Sequence, residues 1–261
     1  MTPSAAADAA TLLWRHWTAR TRLDALPPAC RPADRHDGYA VQAELARCAG
    51  QPVVGWKIAA TSAAGQAHIG VDGPLAGRLL RERVLAPGAR VPLDGNLMRV
   101  AEVEFAFRMA RALPPREAPY TLEETMDAVA SLHPSVEVPD SRYTDFVRVG
   151  AAQLIADDAC ACWLVLGEAT RDDWRARDLA AFPVRASIGG RTVAEGTGAA
   201  ALGDPRVALA WIANELRMHG PGLAAGDVVT TGTCVVPVAV APGDAFVADY
   251  GPIGSLALSF G

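Results

Sequence analysis

Val100-Ala101-Glu102-Val103-Glu104-Phe105-Ala106-Phe107 alternates residue by residue, and that alternation decides the fold. A period of two sends Val103, Phe105 and Phe107 to one face of a strand and Glu102 and Glu104 to the other. Ser135-Val136-Glu137-Val138-Pro139 repeats the theme, with Val136 and Val138 inward and Glu137 opposite. Working outward, residues 53–60, 159–166, 184–188, 227–231, 245–248 and 255–260 also read as short strands punctuated by glycine and proline. Like charges as close as Glu102 and Glu104 raise one another's pKa and cost energy unless the face is open to water or a cation lies between them. Two readings follow. The carboxylates line a solvated strand face, or Glu102, Glu104 and Glu137 hold a hard ion, Mg²⁺ or Mn²⁺, that keeps waters for exchange with substrate oxygens.

Helical signals gather at the start. Residues 4–26 read as a helix with Ser4 as a candidate cap and Leu12, Leu13, Trp17 and Leu23 as its apolar side, broken by the prolines at 27, 28 and 32. A second helix spans 35–49 and stops at Gly50 and Pro52. A later one opens at Asp204-Pro205, a cap followed by proline at the first helical position, and ends near His219-Gly220-Pro221. Its residues Val207, Trp211, Asn214 and Met218, and likewise Leu209, Ile212 and Leu216, lie three or four apart, so a largely buried helix is expected. The chain therefore divides into a helical region, 1–52, and a β-rich body, 53–261, forming one structural unit of α+β class.

With a net charge of -5 and a pI near 5.5, and with its arginines scattered, the chain does not look like a nucleic-acid binder. Residues 1–5 lack the pattern of a signal peptide and no apolar run approaches membrane-spanning length, so a cytoplasmic protein without a membrane partner is expected. Five cysteines without a CxxC do not form a disulfide framework in a chain this long. Cys160 and Cys162, two apart on the expected 159–166 strand, read as buried inert thiols, with a metal or redox role as the alternative.

Lys57, in Gly55-Trp56-Lys57-Ile58, is the only lysine; the other 23 of the 24 basic residues are arginine (24 − 1). Since arginine evidently serves the surface, this compact ammonium between Trp56 and Ile58 should be substantially buried. It suits proton transfer or the grip of one carboxylate, and a structural ion pair is the plainer reading.

The order of several motifs resembles a known family. Gly55-Trp56-Lys57-Ile58 with Thr61-Ser62, Gly70-Val71-Asp72-Gly73-Pro74, Glu102-Val103-Glu104, Glu137-Val138-Pro139-Asp140-Ser141-Arg142, the run 198–205 and Gly226-Asp227-Val228-Val229-Thr230-Thr231-Gly232 are similar to the 2-keto-4-pentenoate hydratase and 4-oxalocrotonate decarboxylase family. This family is a branch of the fumarylacetoacetate hydrolase superfamily. The resemblance implies a mixed β-roll or barrel body with a helical N-terminal region, and Mg²⁺, or Mn²⁺, held by Glu102, Glu104 and Glu137. It also implies a homo-oligomer, association with a pathway partner enzyme, and a small 2-oxo or 2-hydroxydienoate substrate from meta-cleavage of aromatic compounds. Lys57 would assist proton transfer, and Thr231 and Gly232 would lie at the substrate's carboxylate end.

Departures from the family pattern matter as well. Leu75 stands in the substrate-binding segment where hydratases of the family tend to carry an acid, which shifts weight toward decarboxylation. Asp72 is the candidate replacement acid, or a turn residue. Asp157 to Cys162 stands where relatives show Asn followed by small hydroxyl residues and glycine. Arg142 is either a salt-bridge partner or a clamp on the substrate carboxylate. His68 has the wrong spacing for the Glu-His dyad of carbon-carbon hydrolases and reads as a helix-surface residue. The resulting expectation is a Mg²⁺-dependent hydratase of 2-hydroxypenta-2,4-dienoate-like enols. A 2-oxo-3-hexenedioate decarboxylase, an acylpyruvate hydrolase and a non-catalytic partner subunit follow in that order.

Overall fold

The computed structural model describes residues 1–261. Its helices are α1 (Pro3–Ala19), α2 (Arg35–Ala49), α3 (Ala63–Ile69), α4 (Leu122–Asp127), α5 (Ala151–Ala156) and α6 (Pro205–His219). The first strands are β1 (Val53–Ala59), β2 (Leu75–Leu80), β3 (Val84–Leu85), β4 (Arg90–Val91), β5 (Val100–Met109), β6 (Val129–Val138) and β7 (Trp163–Leu166). Then follow β8 (Pro183–Ile188), β9 (Arg191–Thr197), β10 (Val228–Thr233), β11 (Val238–Ala239), β12 (Ala245–Asp249) and β13 (Ser255–Phe260). An eight-stranded mixed sheet runs β2-β1-β10-β5-β6-β7-β3, with β11 joined to β5, and curls into a half-barrel. A five-stranded sheet, β4-β13-β12-β8-β9, lies beside it. The expected α+β class with a β-roll body is what the chain adopts.

The apolar face of β5 builds the core between the sheets. Phe105 meets the ring of Tyr250 at 5.3 Å and Phe182 at 6.2 Å, both edge-on, and Phe107 tilts against Trp174 at 5.7 Å. The Tyr250 hydroxyl lies 2.7 Å from the Glu104 carbonyl and 2.8 Å from that of Ser135, so it ties β5 to β6 directly beneath the carboxylates. At the N-terminus Leu13, Trp17, Val41 and Leu45 form a second core that takes in Leu80, Tyr143 and Ala156 from the body.

Several expectations shift. Helix α1 is capped by Thr2, with Pro3 at its first turn, in place of Ser4, and it stops at Ala19, where Arg20 turns left-handed (φ 56°) and caps the last carbonyls. The β6 strand begins at Val129, well before Ser135. Helix α6 keeps its Asp204 cap, but of the seven positions expected to be buried only Leu209, Ile212 and Leu216 are fully so, whereas Val207 and Met218 are exposed. The largest change is at 159–166: only Trp163–Leu166 is a strand, and Asp158, Ala159 and Cys160 form a tight turn with φ of 58°, 48° and 63°. Cys160 and Cys162 therefore do not share a strand face. Both thiols are free, and burial pushes each up to about 12, which keeps them protonated.

Replacing the Tyr250 hydroxyl tests this scaffold. Tyr250→Phe should lower unfolding stability by about 1–3 kcal/mol, because a buried hydrogen-bonded hydroxyl is lost while its partners stay buried. Urea denaturation of the two proteins checks it.

Candidate active site

Four neighbouring strands converge their chemistry on one face. Lys57 comes from β1, Gly232 from β10, Glu102 and Glu104 from β5, and Glu137 from β6. In the β5–β6 register Glu102 sits directly opposite Glu137, a cross-strand pairing of like charges that costs stability by itself. The ligand oxygens of Glu102, Glu104 and Glu137 all lie within 4.8 Å of one another. Glu104 and Glu137 are buried, and Glu102 is half-buried and opens onto a cavity. The solvated-face reading does not hold, because a curled sheet covers its concave side too.

Lys57 is the counter-charge. Its ammonium, 2% exposed, lies 3.0 Å from Glu137 Oε1 and donates to the Ala159 carbonyl at 3.0 Å. Burial works to lower its pKa, but the charges of Glu137, Glu102 and Glu104 outweigh burial and hold it above the ordinary lysine value. The carboxylates move up. Burial, followed by the charge of Glu137, raises Glu102 to about 7 and Glu104 well above its ordinary value. Burial also raises Glu137, against the pull of Lys57.

Local backbone chemistry holds this arrangement. Gly232, at φ +95°, donates its N–H to Glu104 Oε2 at 2.9 Å, and a Cβ there would lie 2.1 Å from Thr61 Oγ1. Gly77, paired with Lys57 across β1–β2, lets the 158–160 turn close in, since a Cβ would meet the Asp158 carbonyl at 2.2 Å. That turn presents the Ala159 carbonyl to Lys57. Asp158 is itself anchored by the Arg78 N–H at 2.6 Å, and burial raises it to about 6.

A cavity of about 630 Å³ opens above Lys57 and Glu102. Gly232 lines it, as do Thr61, Ser62, Cys160 and the exposed His68 of α3, which turns its ring edge toward Phe146. Other expected site residues lie elsewhere. Thr231 is buried, with its hydroxyl donating to the Phe105 carbonyl at 2.9 Å. Leu75 is in the core at the start of β2, and Asp72 is exposed in the bend before it; neither lines the cavity. Arg142 is not a clamp on this cavity. Its guanidinium is buried against Asp157 and stacked on Trp17 at 4.0 Å, and it donates to the Asp140 and Ala161 carbonyls at 3.0 Å each. The Ala159 carbonyl was missed from sequence, and no residue type could have announced it.

The three carboxylates suit a divalent cation. Glu104 Oε1 and Glu137 Oε2 are buried without a hydrogen-bond partner, and such orphaned oxygens are what a hard ion satisfies.

Residues 72–260 match the fumarylacetoacetate (FAA) hydrolase C-terminal family, and the chain belongs to it. It is 33% identical to a 2-keto-4-pentenoate hydratase of Burkholderia vietnamiensis, over 98% of this chain and 97% of that one. It is 31% identical to a 2-oxo-hept-4-ene-1,7-dioate hydratase of Escherichia coli, over 86% of each. Among solved structures, it resembles the 4-oxalocrotonate decarboxylase of Pseudomonas putida G7 complexed with magnesium and adipate. That likeness has a TM-score of 0.90 and 27% identity, covering 100% of this chain and 98% of the other. No helix is long and apolar enough to cross a membrane.

The raised carboxyl groups set a pH dependence. Without metal the folded protein keeps protons that the unfolded chain would release. The stability this protonation supplies is therefore full below the ordinary glutamate pKa of 4.5 and, for Glu102, is lost as pH rises through about 7. Metal binding needs the ionised form. Mg²⁺ affinity measured by calorimetry should thus weaken below pH 7 by about tenfold per pH unit for each proton displaced, and the Mg²⁺-induced rise in Tm should be larger at pH 8 than at pH 6.

Proposed function

We propose that the protein is a divalent-metal-dependent lyase acting on enols of short 2-oxo acids, with hydration of 2-hydroxypenta-2,4-dienoate-like substrates as its reaction. The observation that carries this reading is one buried ammonium set against a cluster of three carboxylates, two buried and one, Glu102, half-buried and open to a cavity. Glu102, Glu104 and Glu137 would hold Mg²⁺, whose charge would favour the enolate form of a bound 2-oxo acid. The hydratase relatives at 31–33% identity support the same chemistry.

The chain's own residues supply the rest. Ketonisation moves the proton of the C2 hydroxyl to the end of the diene, and water then adds at C4, its hydroxyl to that carbon and its proton to C3. Lys57 is the proton-holding group on the cavity wall. Once the carboxylates around it are neutralised, the burial that opposes its charge prevails and Nζ gives up a proton more readily. The Ala159 carbonyl fixes where that proton is held. Gly232, through its N–H, keeps Glu104 turned toward its neighbours, and Thr61 and Ser62 offer hydroxyls at the cavity wall. Ile69, Met98 and Phe146 exclude bulk water from the far side. A homo-oligomeric, cytoplasmic enzyme working beside other enzymes of aromatic meta-cleavage belongs to the same proposal.

Decarboxylation of 2-oxo-3-hexenedioate is the second reading. It is favoured by the apolar Leu75 at the position of the family's usual acid, and by the likeness to the magnesium-bound decarboxylase.

An ultraviolet assay separates the two. Mg²⁺-dependent loss of 2-hydroxypenta-2,4-dienoate, abolished by EDTA and yielding the 4-hydroxy-2-oxo acid, is the expected result; CO₂ release from 2-oxo-3-hexenedioate alone would establish the decarboxylase. Lys57→Met should keep the Mg²⁺-bound fold and lose turnover by about 10²-fold or more, as removal of a proton-transfer group does. Unchanged turnover would remove Lys57 from the reaction.

A further inference from the structure

Resting on the lyase reading, we propose that this cavity selects enols carrying a single carboxylate and an apolar tail, and discriminates against diacids. The cations decide it. Lys57 is the only lysine or arginine lining the cavity, and it is committed to Glu137 and the Ala159 carbonyl at the metal-binding end. Apart from His68 and the hydroxyls of Thr61, Ser62, Thr197 and Thr233, the wall is largely apolar, with Ile69, Met98, Phe146, Val235, Val236 and Pro237 on it. The other charged residue on the wall, apart from Glu102, is Glu195, exposed at the rim, whose carboxylate accepts from Arg185 Nε at 2.7 Å; Arg185 itself does not reach the cavity. A second carboxylate at the far end of a substrate would leave water for an apolar wall with an acid at its edge and no fixed cation to receive it.

An apolar tail meets the opposite conditions. The volume of about 630 Å³ exceeds what a five-carbon acid fills, since cavities of roughly 300–1,000 Å³ hold drug-sized molecules. Each methylene laid against Ile69, Met98 or Val235 leaves water for an apolar surface, which favours binding. Chain extension beyond C5 should therefore be tolerated or favoured. His68 is the remaining group that could meet a distal carboxylate, and it is exposed to solvent on α3.

The test uses unreactive 2-oxo acids with the Mg²⁺-loaded protein at pH 8. Calorimetric affinities are measured for 2-oxopentanoate, 2-oxooctanoate and 2-oxohexanedioate, and turnover of 2-hydroxypenta-2,4-dienoate is followed on the same preparation. The expected result is 2-oxooctanoate bound at least as tightly as 2-oxopentanoate, with the diacid weaker by about tenfold or more. Tighter or equal binding of the diacid overturns the proposal, whatever the turnover. The expected order without any turnover leaves the substrate class standing and removes the lyase reading. Failure of all three acids to bind overturns both.

Discussion

Three carboxylates crowded against one ammonium in a buried pocket are the constraint on which the rest of this structure depends. Taken alone the cluster is unfavourable: three acids share the field of one lysine, two of them face each other across β5 and β6, and burial penalises every charge. A fold keeps such an arrangement only when its surroundings over-determine it. Phe105 and Phe107 bury the back of β5, and the Tyr250 hydroxyl ties β5 to β6 below the acids. Protonation reduces the cluster's energy, and a divalent cation held by the three carboxylates would do the same.

Precision at this centre comes from backbone more than from side chains. Gly77 and Gly232 allow two close approaches that any Cβ would block, and the left-handed run Asp158-Ala159-Cys160 spends strain to aim one carbonyl at Lys57. Arg142 and Asp157 brace that run from behind, which is why so large a cation is buried without touching the cavity. The result is a tightly held carboxylate cluster joined to a cavity with a largely apolar lining.

The sequence made the strands of the sheet legible where alternation is strong. Val100 to Phe107 announced both its own strand and two of the acids, Ser135 to Pro139 announced the third, and Asp204-Pro205 announced the start of α6. Burial of the acid face was not legible, because period two assigns sides without saying that a curling sheet covers both. The turn at 158–160 was hidden for another reason. Asp158 alone has a tolerance for left-handed backbone, alanine and cysteine carry none of that chemistry, and tertiary packing against Gly77 overrides their preference. Arg142 was ambiguous until Asp157 was seen to take its charge, and Asp72 looked eligible only while its distance from the cavity was unknown.

The central claim is that Glu102, Glu104 and Glu137 together hold a divalent ion beside Lys57. Anomalous diffraction from crystals grown with Mn²⁺ tests it most directly. The account predicts one strong peak bounded by carboxylate oxygens of all three residues, at about 2.0–2.6 Å as expected for oxygen ligands of a hard cation. A peak elsewhere, with the three carboxylates still gathered around Lys57 alone, would contradict it.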